Sequence, residues 1–71
     1  MLEQIFAVAG EKLKYDGVMY KIYEAGVRNN VPYAAVEPAN QVVVDTIIKY
    51  IRKSMPLCFS LEEVQKELTS P

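Results

Sequence analysis

The sequence predicts an all-α domain, a compact bundle of three to four short helices, and three stretches carry that expectation. "NQVVVDTIIKYIRKS" repeats apolar residues at helical spacing, "FSLEEVQKEL" opens on helix-start chemistry, and Leu2, Ile5, Phe6, Ala9 and Leu13 recur three and four apart. Apolar residues three and four apart share one helix face, so each stretch offers a buried stripe to its neighbours.

The first helix is expected over residues 2–14, with Glu3, Gln4, Glu11 and Lys12 largely off its stripe and Gly10 weakening it by about 1 kcal/mol. "LKYDGVMYKIYEAGV" supports two readings. As a helix, it is capped by Asp16, buries Val18, Met19, Ile22 and Tyr23, and ends at Gly26-Val27. As a hairpin turning at Asp16-Gly17, it sets Tyr15 against Val18 and Leu13 against Tyr20. That pairing also sets Lys12 against Lys21, two like charges directly opposed. This cost favours the helix, leaving an α+β fold with a hairpin at Asp16-Gly17 as the alternative.

"NNVPYAAVEPAN" is expected to be a connector, because Pro32 pushes Val31 toward extended geometry and Pro38 blocks a long helix. The next helix buries Val43, Val44, Ile47, Ile48 and Ile51, with Asp45 placed to pair with Lys49 four residues on. Pro56 stops it. The last helix, about 60–69, is announced by Ser60 and Glu63 at capping-box spacing and by Phe59 placed to staple onto Val64.

Seventy-one residues make a single domain, 1–71, whose core supplies about 3–5 kcal/mol of net stability. One cysteine and no histidine exclude an internal disulfide and the usual zinc sites. Cys58 lies between Leu57 and Phe59 and reads as a small buried hydrophobe. Glu62–Glu63 are adjacent on a helix start, and three scattered glycines make no phosphate loop. No catalytic residue, cofactor, metal or small-molecule substrate is therefore expected, and the protein reads as a non-enzyme. No apolar run reaches the roughly 18 residues of a membrane span, and no signal peptide opens the chain. The expected setting is intracellular, in the cytoplasm.

Five tyrosines and no tryptophan are the distinctive composition. On a second helix, Val18, Met19, Tyr20, Ile22, Tyr23 and Val27 would spread over more than half the circumference. The expected function is thus a regulatory protein-binding module, meeting a protein partner or a second copy of itself as a homodimer. Tyr20, Tyr23, Val27 and Tyr33 are the expected contact surface. The alternative is a nucleic-acid-binding domain of helix-turn-helix type, or the N-terminal part of one, using Lys49, Arg52 and Lys53. Residues 47–68 resemble the first two helices of a helix-turn-helix domain, but only Thr69, Ser70 and Pro71 follow, and the outward side of the last helix is acidic. Net charge is −1, which does not favour general polyanion binding.

Overall fold

Asp16 and Gly17 adopt φ of 52° and 76°, the left-handed pair that a tight two-residue hairpin loop requires. Asn29 and Asn30 repeat the device at 52° and 65°. These two loops organise the chain as described in a computed structural model of residues 3–54 and 59–69. The order is β1 (Glu3–Ile5), β2 (Lys12–Tyr15), β3 (Val18–Arg28), β4 (Val31–Glu37), α1 (Gln41–Ser54) and α2 (Leu61–Thr69). The fold is α+β, an antiparallel sheet with two helices, and the expected all-α bundle is overturned. Both N-terminal helices, 2–14 and 16–27, are replaced by strands and turns.

β3 is the spine of the sheet. Its eleven residues, at about 3.4 Å each, match the molecule's 38 Å long axis. One edge pairs with β4 along its length, from Arg28↔Val31 to Lys21↔Glu37. The other edge takes β2 at one end, Tyr15↔Val18 through Lys12↔Lys21, and β1 at the other, Ile5↔Gly26 through Glu3↔Arg28. Between β1 and β2 the chain loops out and returns. Phe6 N donates to Ala25 O at 2.8 Å, Gly10 N to Ile22 O at 2.6 Å, and Ile22 N to Glu11 O at 2.8 Å. Gly10 sits at φ 96°, so the chain cannot continue there as a helix.

A bulge between Ile22 and Glu24 leaves Tyr23 as the extra residue of β3. It reverses which parity points inward. Tyr20 and Ile22 are buried before it, Ala25 and Val27 after it. Leu13 from β2, Val36 from β4, and Phe6 and Val8 from the loop join them. The helices cover this face. α1 contributes Val43, Ile47, Tyr50 and Ile51, and α2 contributes Val64 and Leu68, with Phe59 edge-on to Phe6 at 5.8 Å between centroids.

α1 forms where the sequence predicts, but its buried stripe is Val43, Ile47, Tyr50 and Ile51, with Val44 and Ile48 only half-buried. Asn40 caps it, Oδ1 accepting from Val42 N at 2.9 Å and Val43 N at 3.3 Å, while its Nδ2 donates to Tyr20 Oη at 2.9 Å. The cap thereby ties the helix to β3. Asp45 accepts from Gln41 and Lys49 pairs with Glu67 of α2, so the expected Asp45–Lys49 pair does not form. α2 packs over β2 and caps its outer edge. Gln65 Oε1 accepts from Lys14 N at 2.8 Å and its Nε2 donates to Lys14 O at 2.6 Å, so one amide stands in for a strand rung. Pro56 and Cys58 lie outside the described residues.

Candidate functional site

The face of the sheet away from the helices is uncovered, and pleating decides what it carries. Leu13 and Tyr20 point inward, so their neighbours Lys12, Lys14, Met19 and Lys21 point outward. Past the bulge the outward set becomes Glu24, Gly26 and Arg28 on β3, with Val31, Tyr33, Ala35 and Glu37 facing the same way on β4. Ile5, opposite Gly26, adds an apolar side chain that is 62% exposed.

Cations and rings are interleaved on this face. The Lys21 ammonium lies 5.6 Å from the centroid of Tyr23, and the Arg28 guanidinium 4.9 Å from that of Tyr33. The Tyr23 hydroxyl donates to Glu37 Oε2. That bond, and then the carboxylate's negative charge, hold the Tyr23 phenol above its ordinary pKa. Glu24 lies 3.8 Å from Arg28. Both acids described on this face are thus engaged, and no ion pair among the described residues reaches Lys12, Lys14 or Lys21. Lys12 stands directly across from Lys21, and Lys14 is two residues further along β2. Like charges opposed across strands are destabilising. Glu37, across from Lys21 on β4, offsets part of this, and three lysines against that acid leave this end of the face positive.

The residues expected to bind a protein separate into two pairs. Tyr20 is 6% exposed and Val27 7%, both inside the core, so neither is part of any surface. Tyr23, 55% exposed, and Tyr33, half-buried, share the open sheet face instead of a helix. The sequence reading passed over Lys12, Lys14 and Lys21, although the signal was present. The Lys12–Lys21 opposition that counts against a hairpin is the feature that marks the site.

Lys49, Arg52 and Lys53 lie on the opposite side of the molecule, in the helix layer. Lys49 Nζ is 3.2 Å from Glu67 Oε1, and both Lys49 and Lys53 rest near the Tyr50 ring, at 5.8 and 5.6 Å. A shallow concavity of about 170 Å³ beside them is lined by Tyr50, Glu63, Lys66 and Glu67. Glu67 of α2 therefore pairs with one cation of this basic strip, Lys49. Among the described residues no cluster of His, Cys, Asp or Glu could hold a metal ion, and no helix is long and apolar enough to cross a membrane. No family model matches the chain, nor does any curated protein or solved structure.

Proposed function

We propose that the protein is a non-enzymatic nucleic-acid-binding domain, and that its contact surface is the open sheet face and not the α1 strip. The observation that carries this reading is the opposed Lys12–Lys21 pair with Lys14 beside it, exposed, on the same face as Tyr23 and Tyr33, with a single described acid, Glu37, across from Lys21. A polyanion converts that repulsion into attraction, since each phosphate contact releases condensed counterions. An exposed ring next to a cation, as Tyr23 lies beside Lys21, suits single strands, whose unstacked bases lie flat on aromatic side chains while the neighbouring phosphates meet lysine or arginine. An intracellular, cytoplasmic setting goes with such a ligand.

Fluorescence anisotropy of a labelled single-stranded oligonucleotide, titrated with protein at several salt concentrations, tests the reading. Binding is expected to exceed that of the corresponding duplex. Replacing Lys12, Lys14 and Lys21 together by alanine is expected to weaken it at least tenfold and to flatten the log K–log salt slope by on the order of 0.7 per lost phosphate contact. Replacing Lys49, Arg52 and Lys53 is expected to change little. Equal losses in both triple variants, or no salt dependence, refute the assignment.

One observation favours a second reading, a protein partner on the same face. Ile5, Met19 and Val31 are 62%, 56% and 60% exposed there, and exposed apolar side chains gathered on one face mark protein contacts. Tyr23 and Tyr33 would serve that partner too. Saturable, salt-insensitive capture of a protein, lost on replacing Ile5 and Met19 by serine, would put this reading first.

A further inference from the structure

We infer that two copies of this chain pair through the outer edge of β4, forming one continuous sheet across a two-fold axis. The two edges of the sheet are treated differently. The β2 edge is bonded at Lys14, where the Gln65 amide occupies both main-chain groups, and it carries two lysines, Lys12 and Lys14. Among the described residues no side chain or loop bonds the main chain of Ala34–Glu37 in the same way. An uncapped strand edge is a template for another strand.

Pro32 has no N–H, so its nitrogen belongs on the outer side of the ladder. The alternation of the strand puts the main-chain groups of Ala34 and Val36 on that side as well. No lysine or arginine lies on β4, and Glu37 at one end is its single charge. In an antiparallel self-pairing centred on Ala34, the two Glu37 residues fall at opposite ends and do not meet.

α1 shapes the same border. It packs over β4 and β3, whereas α2 lies over β2. At about 100° per residue, Val44 and Ile48 lie on the flank of α1 opposite Lys49, which reaches Glu67 of α2. That flank overhangs β4, and both side chains are only half-buried. A second copy, turned by the two-fold, would bring its own Val44 and Ile48 against them, so the strand edge and the apolar flank complete each other at once. An isologous contact uses the β4 edge of both copies, so the pair closes on itself. A foreign strand could use the main-chain edge, but it would leave the Val44–Ile48 flank uncovered. The pairing stands whatever the open face binds.

Sedimentation equilibrium of the full chain from micromolar to millimolar concentration tests this. The mass is expected to rise toward twice 8.0 kDa. Ile48→Arg is expected to weaken self-association at least tenfold with the circular dichroism spectrum unchanged. Amide exchange on the unaltered protein needs no variant to fold. The Ala34 and Val36 amides are expected to slow as concentration rises, while those of β2 stay constant. A monomer at all concentrations overturns the inference, as does a monomer that takes up only a foreign extended peptide. A dimer whose β4 exchange is independent of concentration overturns it equally.

Discussion

Lys21 and Ile22 are neighbours in β3 with opposite surroundings. Ile22 is fully buried beneath the helices, while Lys21 lies open, facing Lys12 across the strands. The covered face is what stability alone would build: close-packed, apolar, and with no buried polar or charged residue among those described. The open face contains a like-charge opposition that stability alone would remove. A surface feature that costs the fold something, and that its one facing acid, Glu37, relieves only in part, is a better guide to a candidate site than a count of charges. The α1 strip has as many cations but no such opposition, and its Lys49 is paired with Glu67 of α2.

The largest expected effect separates the two faces by stability. Ile22→Ala removes a fully buried side chain from the centre of the spine strand and should cost about 2–5 kcal/mol. Urea denaturation monitored by circular dichroism measures this. The lysine triple variant of the open face should shift the same midpoint little, although it is the variant expected to lose oligonucleotide binding. If the two variants destabilise alike, the open face is a structural layer and the division of labour fails.

How much of this was readable in the sequence follows from the same strand. α1 and α2 were legible because their apolar spacing is regular and α2 opens on the Ser60–Glu63 spacing; the Asn40 cap of α1 came from the structure. β3 was not, because the bulge at Tyr23 reverses the inward parity midway. Without the bulge, Tyr20, Ile22, Ala25 and Val27 would alternate strictly; with it, the apolar residues fall at intervals of two and three, which mimic a helix. Asn29-Asn30 was a second tight-turn signal, read instead as the start of a connector. Residues 2–14 misled for a related reason. Ile5 and Phe6 sit on opposite faces of the sheet, 62% and 1% exposed, yet their spacing from Ala9 and Leu13 satisfies a helix. Of the expected contact residues, Tyr23 and Tyr33 lie on the open face through strand alternation and the bulge, not through the helical spacing that suggests them. The cationic half of the site depends on cross-strand register, which only the correct pairing reveals.

A smaller effect sharpens the comparison from the open side. Lys12→Glu turns the opposed pair with Lys21 into an attractive one and should stabilise the fold by about 0.2–1 kcal/mol at low salt. Screening should reduce the gain as ionic strength rises. The same substitution should weaken oligonucleotide binding. Denaturation at two salt concentrations, beside anisotropy, checks both signs. A variant that gains stability and keeps full binding would show that the lysine opposition has nothing to do with the ligand.

The smallest expected effect is a proton. Tyr23 donates to Glu37 on the open face, and the nearby carboxylate makes ionisation of the phenol harder, raising its pKa above 10.0. The sign follows from which form makes the bond. The neutral phenol donates, so the contact is present at and below the ordinary tyrosine range and is lost as pH climbs through the raised value. Phenolate absorbance in an alkaline titration reads this directly when the unaltered chain is compared with Tyr23→Phe, which identifies the late-titrating ring. Glu37→Gln removes the negative charge and should bring that ring's ionisation to lower pH. If Glu37→Gln leaves the titration curve where it was, Glu37 does not hold Tyr23, and the open face lacks the fixed aromatic that distinguishes it from a loose patch of lysines.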